Sequence, residues 1–402
     1  MQWSPVQEEA LAAVRSWLGD PNSSDVFRLF GFAGTGKTTL AKFFAEDVDG
    51  RVLFGAYTGK AALVLRERGC HNARTLHNLI YRPRDKSQEK LREFQKELDV
   101  EIDDDRKLQL QSLIRQENEN LKRPSFTLNY ESDVLSAAVL VIDEVSMVDK
   151  DMGSDLVSFG TPILVLGDPE QLPPVMGGGY FTEEKPDVML TEIHRQAQGS
   201  PIIKMATRVR LGAGLDYGEW GNSKVVHKGH LTMEQVAQDF DQILVGKNDT
   251  RKEMNRLIRD HLGLTHGPEG HLPTVGDKLV CLRNNADSGL LNGSLWEVVG
   301  CNVTGDDEVA MQIKDWGEDS KLTRNVTAHR HYFEDREEDL RYWEVRDRDC
   351  FDYGYALTVH KAQGSQWHRV MIIDESHVFR QHKKRWLYTA ITRAEDQVVV
   401  VR

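Results

Sequence analysis

Residues 26–39, VFRLFGFAGTGKTT, place an apolar run directly before a glycine-rich loop. From Gly31 to Thr38 the loop fits G-x-x-x-x-G-K-[ST] residue for residue, between a predicted strand and a predicted helix. Anion chemistry explains the pattern. Glycines let successive backbone N–H groups turn towards phosphate oxygens, so Gly34, Thr35 and Gly36 read as a cradle. Lys37 is placed to reach the terminal phosphates and the Thr38 hydroxyl to face Mg²⁺. Thr39 follows in the first turn of a helix whose positive end meets the same anion.

Working outward, a helix is predicted over 5–18 and further apolar strands over 51–56, 138–142 and 163–166. Helical segments lie between them, which indicates a parallel sheet flanked by helices. The strand at 138–142 runs into Asp143-Glu144. Asp143 can hold Mg²⁺ through water, while Glu144, the next residue in the strand register, points elsewhere and can deprotonate an attacking water. That pair indicates hydrolysis rather than nucleotide binding alone. The strand at 163–166 leads into GDPEQLPPV, where Gln171 is placed to sense a γ-phosphate.

The chain has 402 residues, 40% of them hydrophobic and 8% aromatic, sufficient for two or three domains with cores of their own. Cys70, Cys281, Cys301 and Cys350 are far apart, so neither a zinc site nor a disulfide framework is expected. The N-terminal MQWSPVQEEALAAVRSW is amphipathic and partly acidic, so neither export nor membrane insertion is expected, and the cytoplasm is the expected compartment, the host's if the chain is phage-encoded. A net charge of −12 does not favour a polyanion partner, but a groove needs only a local excess of basic groups. Residues 81–124 become dense in mixed charge with helical spacing of apolar residues, an inserted helical arm. A second α/β pattern follows, with a strand over 241–245 and a helix over 251–261. Over 276–300 alternation around Asn-Gly chemistry predicts short antiparallel strands that continue to about 345, before core strands return at 353–358, 369–374 and 398–401.

Read in order, these segments resemble the superfamily 1B DNA helicases, the RecD-like and Dda-like branch. SPVQEEAL around Gln7 is similar to its adenine-reading Q motif, GFAGTGKTT to motif I, AYTGKAALVL from Ala56 to motif Ia, and ARTLHNLI from Ala73 to motif Ib. DEVSM, GDPEQLPP and TEIHRQ are similar to motifs II, III and IV. LTVHKAQGSQWHRVMII from Leu357 and YTAITRAEDQVVVV from Tyr388 resemble motifs V and VI, which a kinase or a simple nucleotide switch does not use.

The resemblance implies two RecA-like P-loop cores: 1–80 with 125–192, and 193–297 with 344–402. A helical arm at 81–124 would interrupt the first and a small SH3-like β-barrel at 298–343 the second. It implies ATP with Mg²⁺ as cofactors and single-stranded DNA and its junctions with duplex as partners. A monomer is expected, with a single-stranded-DNA-binding or replisome protein as a further candidate partner. Arg195 and Arg393 would reach the γ-phosphate across the cleft, and Gln366 would approach the nucleotide ribose, although relatives usually carry an acid there. Thr58, Lys60, Thr75, His77, Thr358 and His360 would contact DNA phosphates with little reading of base identity. Capping or turn formation is the alternative reading for each of these residues taken singly. The implied activity is 5′ to 3′ unwinding, the alternative being a translocase or recombination-complex subunit that needs a partner to separate strands. Relatives split the duplex with a pin; Phe94 and Phe126 are the candidates here.

Overall fold

The computed structural model describes residues 3–83, 93–98, 103, 106–107, 109–114, 126–174, 179–192, 199–266, 269–285, 288–304, 307–317, 322–340, 344 and 348–402. Its first helix, Pro5–Gly19, begins at a capping box in which Ser4 and Gln7 satisfy each other's backbone N–H groups. The apolar stretch that follows becomes the strand Val26–Gly31, next to one edge strand of a six-stranded parallel sheet. Strand order across that sheet is Arg74–Thr75, Val52–Ala56, Val139–Asp143, Ile163–Gly167, Val26–Gly31 and Val188–Leu190. Ile163–Gly167 is buried at every position, as a strand covered by helices on both faces must be. Because the strands are parallel, their C-terminal ends share one edge. The loops after Gly31, Asp143 and Gly167 therefore converge there.

The second core repeats the plan. Ala356–Thr358, Gln242–Val245, Trp367–Ile373, Ala394–Val401 and Ser223–Val226 are parallel, and Gly218–Trp220 adds an antiparallel edge. Helix Lys383–Ile391 is buried from Trp386 to Ile391, because it lies between this sheet and the first core. Leu172, from the first core, belongs to the second core's apolar cluster at 1% exposure, and Ala33 of the phosphate loop packs against the same cluster. Burying a leucine so completely stabilises by about 1.5–3 kcal/mol, so the two cores share part of one interior.

A five-stranded antiparallel sheet is inserted into the second core, in the order Thr323–His329, Glu308–Asp315, Leu295–Thr304, Lys278–Cys281 and Phe351–Tyr353. Its outer strands approach through a bridge between Ala328 and Asp349. The sheet takes in residues on both sides of the interval 298–343. It is anchored by Arg259 from helix Asn248–His261, whose guanidinium donates to both Asp277 carboxylate oxygens at 2.8 and 3.0 Å. Of the interval 81–124, the structure describes a strand, Tyr81–Pro83, paired with Phe126–Leu128 just beyond it, and helical turns at 93–98 and 109–114; most of the expected arm lies outside the described residues.

Candidate nucleotide cleft between the two cores

The shape of the phosphate loop follows from its glycines. Gly34 and Gly36 have φ of 80° and 79°, a left-handed conformation that strains any side chain. At Gly31 the constraint is space, since a Cβ would lie 2.5 Å from Thr35 Oγ1 and 2.8 Å from Leu190 Cβ. Thr35 is buried and donates its hydroxyl to the Phe32 carbonyl at 2.9 Å. Lys37 Nζ donates to the carbonyls of Gly31 at 2.6 Å and Phe32 at 3.2 Å, so the ammonium sits inside the loop it is expected to serve. Helix Lys37–Glu46 begins with no side-chain cap, which leaves its first N–H groups available to an anion.

Facing the loop, Asp143 Oδ2 accepts from Thr38 Oγ1 at 2.7 Å and Oδ1 from the Glu144 N–H at 2.8 Å. Burial first, then the adjacent Glu144 carboxylate, push the Asp143 carboxyl above its usual range. A cation beside it would reverse that tendency. Strand alternation is not what separates the two acids. The strand stops at Asp143, and Glu144 turns away through a left-handed backbone, φ 54° and ψ 44°. Holding a non-glycine residue there costs about 1–3 kcal/mol, and here it aims the carboxylate into the cleft.

The second core supplies the opposite wall. Arg393, buried at 3%, donates Nη1 to the Ser365 carbonyl at 3.3 Å and Nε to the Thr389 carbonyl at 3.3 Å. Its Nη1 lies 3.8 Å from Glu144 Oε1 of the first core. Between the walls is a cleft of about 420 Å³, lined by Gly34 to Thr39, Asp143, Glu144, Gln171, Gln366 and Arg393 among others. Gln171 accepts from Ser146 Oγ at 3.3 Å. Gln366 spans the cores, accepting from Arg68 at 3.4 Å and donating to the Thr392 carbonyl at 3.5 Å. Gln7 is buried beside the loop and donates Nε2 to the Thr35 carbonyl at 3.2 Å, while its Oε1 accepts from Ser4 N–H. Arg195 lies outside the described residues.

The residues expected to meet DNA occupy matching places in the two cores. Thr58, Thr75 and Thr358 each follow or end a parallel strand and cap the next helix, accepting from Ala61, Asn78 and Lys361 N–H at 3.1, 3.2 and 3.4 Å. Their capping role is thus a structural fact, and it places three helix starts on the shared C-terminal edges of the sheets. Lys60 is in the first turn beyond Thr58. His77 is exposed and its ring lies 5.4 Å from Tyr81 and 6.2 Å from Phe126, itself 50% exposed. His360 packs 5.7 Å from Phe379, and burial lowers its pKa.

Residues 5–230 match the AAA domain family, and residues 353–401 match the UvrD-like helicase C-terminal domain. The ATP-dependent RecD2 DNA helicase of Deinococcus radiodurans is 26% identical over 403 residues, covering 92% of this chain and 46% of that protein. The ATP-dependent DNA helicase Dda of enterobacteria phage T4 is 29% identical over 229 residues, covering 52% of this chain and 43% of that protein. The chain belongs to the superfamily 1B DNA helicases, in the RecD-like and Dda-like branch. It spans less than half the length of either of these two relatives. The fold resembles that of a Bacteroides Pif1 bound to single-stranded DNA, which aligns over 100% of this chain and 92% of that one with TM-score 0.55 and 16% identity. Pif1 helicase from Candida albicans aligns over 100% of this chain and 94% of that one with TM-score 0.53 and 19% identity.

Four polar residues buried where the two cores meet have no role in the sequence reading. Asp168, 2% exposed, accepts from Tyr388 Oη at 2.5 Å. Thr389 accepts from Leu172 N–H at 2.8 Å, and Gln363 donates to the Leu172 carbonyl at 2.8 Å. Each lies inside a segment recognised as a motif, but its partner is more than a hundred residues away, and local spacing cannot reveal such a partner. Among the described residues no group of three or more His, Cys, Asp or Glu is arranged to hold a metal by itself. No helix among them is long and apolar enough to cross a membrane.

Proposed function

We propose that this chain is an ATP-hydrolysing motor that travels 5′ to 3′ on single-stranded DNA and separates duplex ahead of it. The observation that carries the proposal is Arg393 standing 3.8 Å from Glu144 across a cleft whose floor is the phosphate loop. A base from one core and a cation from the other give a site whose completeness depends on how the cores sit. Such a site can convert hydrolysis into relative movement.

ATP would lie with its phosphates in the Gly34–Thr39 cradle and Gln7 at its base end. Thr38 and Asp143 offer hard oxygen ligands 2.7 Å apart, a donor set that fits Mg²⁺, which takes its other ligands from phosphates and water. Mg²⁺, when bound, neutralises phosphate charge. Lys37 would exchange its two carbonyl partners for phosphate oxygens. Glu144 would take a proton from water as the water oxygen bonds to the γ-phosphorus and the bond to the β-phosphate oxygen breaks, releasing ADP and phosphate. Arg393, with Arg195 as the second arginine, would stabilise the charge that grows on the γ-phosphate, and Gln171 would register its presence.

DNA would cross the C-terminal edges of both sheets, held by Thr58, Lys60, Thr75 and His77 on one core and Thr358 and His360 on the other. Alternate tightening of these grips would advance the monomer along the strand. Direction is carried over from the branch to which the chain belongs. The antiparallel sheet is read as an SH3-like insertion that takes in Lys278–Cys281 and Phe351–Tyr353 as well as 298–343; the first core is read as 1–80 with 125–192, and the second as the rest of 193–297 and 344–402. Strand displacement by the chain alone, on partial duplexes bearing a 5′ or a 3′ overhang, tests the proposal. Unwinding from the 5′ overhang alone is expected. Unwinding from the 3′ overhang alone would overturn the direction, and ATP hydrolysis on DNA without unwinding would favour the partner-dependent alternative.

A further inference from the structure

The Tyr388 phenol makes two hydrogen bonds, both into the other core. It accepts from the Ala33 N–H of the phosphate loop at 3.1 Å and donates to Asp168 Oδ2 at 2.5 Å. Both Tyr388 and Asp168 are 2% exposed, so the bond between them is shielded from bulk water, while the Ala33 bond is part-buried. Asp168 is further fixed by the Glu170 N–H at 3.0 Å, and its backbone carbonyl accepts from Gln171 N–H at 3.1 Å. A single hydroxyl therefore touches the loop that holds phosphate and the turn that carries Gln171.

The next residue on the same helix, Thr389, takes the Leu172 N–H, and Arg393 faces Glu144. Arg210 of the second core also lies over the ring of Phe32, the residue before Ala33, 3.6 Å from its centroid. Helix Lys383–Ile391 and the turn after it thus grip three nucleotide-facing loops of the first core. Burial raises the Asp168 carboxyl, while Lys37 and the Tyr388 hydrogen bond act to lower it, so phosphate-loop lysine, carboxylate and phenol form one electrostatic group. Most of these contacts could serve packing alone. The Ala33 bond is different, because its donor immediately precedes the glycine that starts the cradle.

We propose that Tyr388 is a positioning residue that latches the phosphate loop and the Gln171 turn to the second core, so that nucleotide affinity and inter-core attachment are set by the same hydroxyl. The inference rests on the motor reading, but its test can be read without hydrolysis. Tyr388→Phe keeps the ring and removes only the latch.

Binding of mant-ATPγS with Mg²⁺ would be titrated with and without oligo-dT, alongside thermal melting and ATP turnover. Tyr388→Phe should weaken nucleotide binding about 5–10-fold, the scale of one lost buried hydrogen bond, and shrink the effect of DNA on nucleotide affinity. Its KM for ATP should rise as well as its DNA-stimulated kcat falling, whereas a purely structural role would lower the active fraction and leave affinity unchanged. Asp168→Asn keeps the shape and removes the charge, and reaches the same latch from the first core if the tyrosine variant folds poorly. It should give a smaller change in the same direction. Nucleotide affinities within twofold of wild type for the folded variants, with DNA coupling intact, would overturn the latch. Wild-type protein that binds nucleotide but shows no DNA-stimulated turnover would instead defeat the motor reading, with the latch still decided by the binding data.

Discussion

Arg393 of the second core and Glu144 of the first face each other with 3.8 Å between Nη1 and Oε1. Arg393 is positioned by carbonyls of its own core, and Glu144 by a left-handed turn that ends its strand. The proposed base and the proposed charge-stabilising group are therefore registered against each other before any substrate is considered. Each variant below removes one part of that arrangement or of the surfaces around it.

Glu144→Gln should reduce ATP turnover by about 10²–10⁴-fold, the usual weight of a general base. Nucleotide binding should remain within a few-fold of wild type, because the cradle is intact. Steady-state hydrolysis and a fluorescent-nucleotide titration read the two quantities separately. Hydrolysis at the normal rate would assign the base elsewhere.

Lys37→Ala should lose both binding and turnover, since the ammonium is the one flexible cation within the loop. Thr38→Val should act more narrowly. Loss of the hydroxyl that Asp143 accepts should raise the Mg²⁺ concentration needed for half-maximal turnover by about 10-fold or more. A Mg²⁺ titration at saturating ATP checks this, and an unchanged midpoint would remove Thr38 from the cation site.

His360→Ala should weaken single-stranded DNA binding by about 5–10-fold, in keeping with one lost contact, and lower DNA stimulation of ATP hydrolysis. Burial, and then the neighbouring His382, depress the pKa of His360, which favours the neutral ring, a hydrogen-bond donor to DNA rather than a charge. Fluorescence anisotropy with labelled oligo-dT measures the affinity, and mant-nucleotide binding without DNA should be unmoved.

Lys278 lies buried beneath Trp316, donating to the Asp241 carbonyl at 2.6 Å and Gln242 Oε1 at 3.3 Å. Burial pushes its pKa down to about 7, from an unfolded value of 10.5. Between those values the unfolded chain binds a proton that the folded chain does not, so this group's contribution makes stability rise with pH. The difference in melting temperature, wild type minus Lys278→Met, should therefore grow between pH 7 and pH 9. A constant difference would show that Lys278 is charged in the folded protein across that range.

Much of this was legible in the sequence for physical reasons. Val26–Gly31 and Ile163–Gly167 read as buried parallel strands because every position except Arg28 is apolar or small, and the loops after them carry residues whose chemistry is specific to phosphate. Local patterns failed where a contact crosses the cores. Nothing around Tyr388 says that its hydroxyl meets Ala33, 355 positions earlier in the chain. Strand alternation predicts that Glu144 diverges from Asp143, but a backbone turn does it, and φ is not written in residue type when the residue is not glycine. For Thr58, Thr75 and Thr358 the sequence leaves DNA contact and capping both open, and the structure shows that each caps a helix.

The central claim is that ATP is hydrolysed between the cores and that DNA controls it. Steady-state ATP hydrolysis by wild type and Arg393→Ala, with and without oligo-dT, tests it most directly. Wild type should be strongly stimulated by DNA, and Arg393→Ala should lose about 10³–10⁵-fold of the stimulated rate while still binding nucleotide. An Arg393→Ala protein that hydrolyses ATP at the wild-type rate, or a wild-type rate indifferent to DNA, would contradict the account.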